Sequence, residues 1–199
     1  MDEIRVGYFV EDIGHQSFLE ALVNRVGAEV GLSIPLDHQW LSAAGGYGKA
    51  SSKLREFLRG VQRGQEPVFH LLIVAKDANC HGYTEVKNGV KQHVDGYGYP
   101  APVAYAVPDP HIERWYMADL QVLQSIAGRS VPLPAYKCER ARYKALLKQA
   151  FPDVPLGGLE YGGDIAAQMD LYRAGNADPA LRHFVDEVKA ALVSMKRDV

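Results

Sequence analysis

Residues 4–26 read IRVGYFVEDIGHQSFLEALVNRV and predict a strand followed at once by a helix. The apolar run from Ile4 to Val10 has the length and composition of a short buried strand. From His15 to Val30, apolar side chains recur at helical spacing and define one face. Glu11 and Asp12 stand between the two elements. Ligands of open α/β sheets bind at the ends of strands, so these acids are candidates for a binding site.

The alternation of strand and helix patterns continues along the chain. Further strands are predicted in IPLDHQWL (34–41), FHLLIVAKDAN (69–79) and PVAYAVPDP (102–110). Further helices are predicted from about residue 51, as a short helix after residue 83, and over residues 111–128, 139–150, 164–173 and 178–196. This order indicates an α/β fold with a mostly parallel sheet and helices on both faces. We assign residues 1–128 to the core and residues 129–199 to a helical extension packed on it.

Composition excludes several classes of protein. The chain has 199 residues, 47% of them hydrophobic, which suffices for one compact domain with a sizeable core. Its formal net charge of −2 gives no global basicity, so nucleic-acid binding would need local patches or a partner. The N-terminus carries early acids and only a short apolar run, which predicts neither a signal peptide nor a membrane span.

The two cysteines, Cys80 and Cys138, are far apart in sequence and form no CxxC pair. Their pattern predicts neither a disulfide framework nor a zinc site, and Cys80 is assigned to packing. We therefore expect a soluble cytoplasmic protein that does not associate with membranes.

Acids follow three of the predicted strands. The candidates beyond Glu11 and Asp12 are Asp77, Asp109 and Glu113. If the sheet is parallel, these side chains converge on one edge, where their mutual repulsion would raise their pKa values unless a cation neutralises them. Oxygen ligands of this kind suit Mg²⁺ or Mn²⁺. Metal ions held in this way support phosphodiester chemistry.

Each acid also has a structural interpretation. Acids favour helix N-termini, and capping is the role assigned to Asp12, whereas Glu11 is assigned to the metal. Asp77 could instead shape an Asx-turn, and Glu113 could interact with the dipole of its helix. Asp119 falls on an apolar helical face, where a buried carboxylate needs partners. We expect it to bond to backbone or to a core tyrosine.

Four motifs resemble those of a known family. VEDIGHQSFLEAL resembles the first motif of the Toprim fold, in which a Glu after the first strand precedes a helix carrying Phe-Leu, and VAKDAN resembles its second acidic motif, Asp-x-Asp. PDPHIERWYMAD and KCERARYKALL follow in the same order as in small bacterial Toprim-like proteins of unknown function, which are related to the overcoming-lysogenization-defect (OLD) nucleases. The resemblance covers residues 4 to about 165 and implies a Toprim-like (Rossmann-like) core.

The resemblance also implies a site and an activity. Glu11, Asp77 and Glu113 would be catalytic metal ligands for Mg²⁺ or Mn²⁺ in a nuclease that cuts DNA or RNA. Asn79 stands at the second position of the Asp-x-Asp motif and would offer an uncharged carbonyl, so the site would hold a single ion or be completed by Asp12 or Asp109. Relatives of this type act beside an ABC-type or AAA-type ATPase in defence against phage, and homo-oligomerisation stays open.

Basic residues could position phosphates beside such a metal. His111 lies at the predicted edge, as does His15, and Lys49 and Lys53 lie on the basic face of the helix near residue 51, which is otherwise a solvated surface. GGYGKAS lacks the Walker pattern and no GxGxxG follows the first strand, so no nucleotide cofactor is expected.

Two other functions remain open. The alternative to a nuclease is a catalytically degenerate module, weakened by Asn79, that acts as a docking or regulatory subunit. A receiver-like phosphoacceptor ranks last, because it requires a lysine after a later strand and none follows residues 103–108.

Overall fold

A parallel sheet forms the centre of the molecule. The computed structural model describes residues 2–10, 13–42, 47–132, 135–139 and 141–197. Within these, four parallel strands pair in the order β2-β1-β3-β4. Their bounds are β1 Ile4–Val10, β2 Leu36–Ser42, β3 Leu71–Ala75 and β4 Val103–Ala106. The predicted α/β fold with a parallel sheet and helices C-terminal to it is confirmed.

The helices connect the strands and then continue beyond the sheet. Their bounds are α1 Gln16–Glu29, α2 Tyr47–Gln62, α3 Tyr83–Tyr97, α4 Glu113–Tyr116, α5 Leu120–Ala127, α6 Arg142–Ala150, α7 Gly162–Gln168, α8 Leu171–Ala177 and α9 Pro179–Arg197. Short 3₁₀ turns at Ile13–His15 and Leu159–Tyr161 precede α1 and α7. The helix predicted after residue 83 is 15 residues long, and it buries Val86, Val90 and Val94 at four-residue spacing.

The helix predicted over 111–128 is broken in two. Asp119 has an extended backbone at the start of α5, and its buried side chain accepts hydrogen bonds from Arg173 and from the backbone N–H of Asp170. The predicted bond of Asp119 to backbone is therefore confirmed, with Arg173 in place of a tyrosine. Because these partners belong to the segment that contains α8, the break joins the core to the C-terminal helices.

The two faces of the sheet are covered by different helices. Successive residues of a strand point to opposite faces. Tyr8 therefore belongs to the larger core with α1 and α9, and Phe9 to the smaller core with α2 and α3. Gly7 lies beside Phe69, and a Cβ at this position would stand 2.3 Å from the Phe69 ring. A side chain at residue 7 would displace that buried ring.

The C-terminal helices complete the larger core. α7 packs on α1, and α9 packs on both α1 and β4. β4 is an edge strand, and the Glu187 carboxylate of α9 accepts a hydrogen bond of 2.8 Å from the Tyr105 N–H. Glu187 also pairs with Lys87 of α3, at 2.6 Å. Covering this edge satisfies strand backbone that would otherwise be open to another chain. None of the helices described here is long and apolar enough to cross a bilayer.

Cys80 and Cys138 form a disulfide. Their sequence separation is 58 residues, but the fold brings their Cα atoms to 5.7 Å. The prediction that the cysteines are unpaired, with Cys80 in a packing role, is wrong, because spacing along the chain does not fix distance in the fold. Stable disulfides are uncommon in the cytosol, so the cysteines no longer support a reducing compartment.

Candidate functional site

All four strands end at one level, and this edge carries the candidate site. Val10 pairs with Ser42 on one side and with Ala75 on the other, and Ala75 pairs with Ala106. The chain therefore leaves every strand at the same edge of the sheet. Asp77 follows the end of β3 by two residues, and Asp109 follows the end of β4 by three.

The loops after β3 and β4 run side by side beyond the sheet. The backbone N–H groups of Lys76, Ala78 and Asn79 donate to the carbonyls of residues 106, 108 and 110, at 2.8–2.9 Å. These bonds continue the pairing of the two strands. They fix the Asp77 backbone against the segment that leads into α4.

The Asp77 carboxylate is buried among donors. Its Oδ2 accepts a hydrogen bond of 3.0 Å from His111 Nδ1, and its Oδ1 accepts one of 3.1 Å from the Ile112 N–H. His15 Nε2, in the turn before α1, lies 3.2 Å from Oδ1. Burial alone would raise the pKa of Asp77, but the two histidines hold it well below its ordinary value. Asp77 is therefore negatively charged at neutral pH.

His111 is oriented by this carboxylate. An ionised carboxylate only accepts hydrogen bonds, so His111 Nδ1 carries the proton of their contact. The bond to Asp77 raises the pKa of His111, although burial and Lys144 oppose the rise. His111 is 5% exposed, and its Nε2 has no hydrogen-bond partner among the described residues. That nitrogen is buried and keeps its hydrogen-bonding capacity.

Glu113 is the second buried carboxylate of this edge. It is the first residue of α4 and is 5% exposed. Its Oε1 lies 3.8 Å from Lys144 Nζ, and its Oε2 has no partner in the part of the chain that the structure describes. Burial raises the pKa of Glu113, and the charge of Asp77 adds to the rise while Lys144 opposes it. The two carboxylates are thus close enough to interact electrostatically.

A cleft opens beside Glu113. Its volume is about 320 Å³, and Lys144 and Lys148 of α6 line it together with Leu147, Leu156 and Leu159. The two lysines are four residues apart and so lie on one face of α6. Sequence reasoning missed both of them as phosphate-positioning candidates. Their spacing in KCERARYKALLK was the available signal.

The other predicted site residues are placed as follows. Asn79 donates from Nδ2 to the Asp77 carbonyl at 3.2 Å and has a φ of 51°, so its amide shapes the loop. Lys53 is exposed and pairs with Glu56 at 3.0 Å. Glu11, Asp12 and the Lys49 side chain lie outside the described residues. Lys76, beside Asp77, contacts Ser51 of α2 at 3.2 Å.

A second cluster surrounds Asp109. Its Oδ1 accepts a hydrogen bond from the Cys80 N–H and its Oδ2 accepts one from the Tyr136 hydroxyl, both at 3.2 Å. Cys138 Sγ lies 4.0 Å from Oδ1. Among the described residues, Cys80, Asp109 and Cys138 are the group of metal-ligating side chains whose donor atoms all lie within 4.8 Å of one another. Asp77 and Glu113 belong to no group with that spacing there.

The chain matches no protein-family model, no curated protein and no solved structure. What the structure defines is the class of fold, an α/β fold with a Rossmann-like parallel sheet. The likeness to Toprim proteins rests on the sequence motifs alone.

Proposed function

We propose that this protein is a metal-dependent phosphodiesterase of the Toprim type that hydrolyses DNA or RNA. The observation that carries the proposal is a pair of buried atoms next to the charged Asp77, His111 Nε2 and Glu113 Oε2, neither of which has a partner among the described residues. Buried polar atoms without partners are uncommon and call for an explanation. A bound cation and a phosphate would satisfy both atoms.

Carboxylate oxygens are the type of donor that a hard divalent cation prefers. Asp77 and Glu113 would hold Mg²⁺ or Mn²⁺. Glu11 would be a third ligand, an assignment that rests on the sequence alone. Such an ion, when bound, supplies Lewis-acid stabilisation of the charge that develops on the phosphate. A nearby cation would also lower the raised pKa of Glu113 and keep that carboxylate ionised. Because Asn79 would contribute an uncharged amide oxygen where the motif has a second Asp, this set favours one ion over two.

The remaining residues bind substrate and move a proton. Asp77 fixes the His111 ring through Nδ1, which leaves Nε2 to exchange a proton with the attacking water or the leaving oxygen. The raised pKa of His111 increases its protonated fraction near neutral pH. Lys144 and Lys148 would orient the phosphates along the cleft. An ATPase partner and a role in phage defence follow only from the family resemblance.

Metal-dependent stabilisation tests the site. We expect millimolar Mn²⁺ or Mg²⁺ to raise the melting temperature of the wild type, because a ligand that binds only the folded state stabilises it. Glu113→Gln and Glu11→Gln should remove most of this rise. Glu56→Gln is the matched control, since Glu56 is exposed and pairs with Lys53 on α2. An equal rise in all four proteins would contradict the assignment.

Cleavage tests the activity. Plasmid DNA and a structured RNA are incubated with Mn²⁺ and with each variant. We expect cleavage by the wild type and by Glu56→Gln, and a loss of at least about 100-fold in Glu113→Gln and His111→Gln, the scale of positioned acid–base groups. Cleavage that persists in both site variants would contradict the assignment of Glu113 and His111 to the active site.

One observation favours the docking or regulatory alternative. Asp77 already has a backbone N–H and two histidines as partners, which is how a buried carboxylate is satisfied in a purely structural role. That alternative predicts no change in melting temperature with either metal. It also predicts no cleavage of either nucleic acid.

A further inference from the structure

We propose that Cys80, Cys138 and Asp109 form a second metal site, which binds a thiophilic divalent cation such as Zn²⁺ when the disulfide is reduced. This site is separate from the one around Asp77 and Glu113 and does not depend on nuclease activity. Two thiolates and one carboxylate are a donor set that zinc accepts, with water in the fourth position. Sulfur ligands select zinc over Mg²⁺.

The three donors converge because the backbone directs them to one point. Asn79 and Cys80 are consecutive non-glycine residues with positive φ, 51° and 70°. Such a conformation costs energy and persists where surrounding contacts maintain it. Here the Cys80 N–H donates to Asp109 Oδ1, and the Asn79 N–H donates to the Pro110 carbonyl. The loop thus turns Cys80 towards the carboxylate that would be its co-ligand.

Asp109 is held in place independently of the disulfide. Its Oδ2 accepts from the Tyr136 hydroxyl, and the Tyr136 ring lies over the Arg114 guanidinium at 4.3 Å. Arg114 is in turn paired with the buried Asp178 carboxylate. These contacts keep Oδ1 beside the two sulfurs after the S–S bond is broken, so the carboxylate is preorganised for a cation.

The site is open to reagents. Both cysteines are exposed, and residues 135–139 form neither helix nor strand. Zinc holds its two sulfurs further apart than a disulfide does, and this irregular segment can supply the displacement. A dithiol reductant breaks the S–S bond and becomes a disulfide itself, transferring two electrons and two protons to Cys80 and Cys138. Zinc binding then releases those two thiol protons to water.

Either the disulfide or a bound zinc ion would cross-link the same two segments of the chain. The disulfide ties the loop that follows Asp77 to the segment that precedes α6. Zinc would restore the same tie in the reduced protein. The reduced, metal-free protein alone would lack it.

Metal binding by the whole chain tests the proposal. The reduced wild type, freed of reductant under anaerobic conditions, is titrated with Co²⁺ and then Zn²⁺. We expect one equivalent of Co²⁺ with thiolate-to-metal charge-transfer absorption, displaced by one equivalent of Zn²⁺. The oxidised protein should show no such absorption. Cys138→Ser should abolish it, and Asp109→Asn should weaken the affinity about tenfold or more, the scale on which changes at metal-site residues act.

Asp95→Asn is the matched control, because Asp95 is exposed and pairs with Lys91 on α3. It should bind like the wild type. Zinc should also recover the melting temperature lost on reduction in the wild type and in Asp95→Asn, but not in Cys138→Ser. The proposal is overturned if reduced wild type shows no charge-transfer band, if Asp109→Asn binds as tightly as Asp95→Asn, or if dithiols fail to reduce the disulfide.

Discussion

Asp77 and Asp109 occupy equivalent places in the fold but have opposite surroundings. Each follows a parallel strand at the same edge of the sheet, and the loops that carry them are hydrogen-bonded to each other. Asp77 is 7% exposed and contacts two histidines, whereas Asp109 is half-buried beside a disulfide and a tyrosine hydroxyl. Topology thus brings acids to one edge, and the neighbours of each acid decide its chemistry.

The difference follows from what the adjacent segments contribute. The turn before α1 and the segment leading into α4 supply His15, His111 and a backbone N–H to Asp77. These groups surround the negative charge of the Asp77 carboxylate. The irregular segment at 135–139 supplies Tyr136 and Cys138 to Asp109 and leaves that side chain half-buried. A hard cation and a proton relay suit the first setting. A thiophilic cation suits the second.

The largest expected difference is in stability. Asp77→Ala removes a buried carboxylate that contacts two histidines and the Ile112 N–H, so we expect a loss of about 3–5 kcal/mol in the free energy of unfolding. Asp109→Ala removes an acceptor from groups near water and should cost about 1 kcal/mol. Urea unfolding of both variants measures the contrast. Equal losses would mean that Asp77 is not an enclosed charge.

Reduction of the disulfide should have the next largest effect, and it acts on the Asp109 region. A cross-link closing a loop of this size stabilises a protein by about 2–4 kcal/mol, chiefly by restricting the unfolded chain. We expect a dithiol with a chelator to lower the stability of the wild type by that amount. The double variant Cys80→Ser, Cys138→Ser should not respond. If the dithiol and chelator also lowered the stability of the double variant, the loss would not come from the disulfide.

The pH dependence of stability should report the pairing of Asp77 with His111. The lowered pKa of Asp77 gives a contribution present above about pH 4, the ordinary range of Asp, and lost as the pH falls through its folded value. The raised pKa of His111 gives a contribution complete below about pH 6.5 and lost as the pH rises through its folded value. Their pairing should therefore stabilise most between about pH 4 and 6.5.

Comparison of wild type with His111→Gln tests this window, with Glu113 and Lys144 present in both proteins. The difference in unfolding free energy should be widest within it and narrow on either side. A difference for His111→Gln that is constant from acid to neutral pH would show that Asp77 and His111 are not a charged pair.

The sequence predicts the sheet well because its signals are local. The run at Ile4–Val10 and the run at Leu71–Ala75 are apolar strands, and Phe18, Leu22 and Val26 repeat at helical spacing. Acids after the strands then predict which residues approach the edge. Asp77 and Glu113 do approach it, and each is buried there.

What the sequence does not predict depends on distant segments. The break at Asp119 requires Arg173, 54 residues away, and the disulfide requires a partner 58 residues away. His15 and His111 were recognised as edge residues, but their joint contact with Asp77 depends on how the turn before α1 packs on α4. Lys144 reaches Glu113 only because α6 folds back on α4. Local periodicity carries no information on such contacts.

The smallest expected effect concerns the Tyr136 hydroxyl. Tyr136→Phe removes one exposed hydrogen bond to Asp109 and keeps the ring over Arg114, so the free energy of unfolding should fall by less than about 1 kcal/mol. Tyr136→Leu also removes the cation–π contact and should cost about 0.5–1 kcal/mol more. Urea unfolding under oxidising conditions separates the contribution of the hydrogen bond from that of the cation–π contact. A larger loss for Tyr136→Phe than for Tyr136→Leu would show that the hydroxyl, not the ring, holds this segment in place, and that Asp109 is more enclosed than its half-buried side chain indicates.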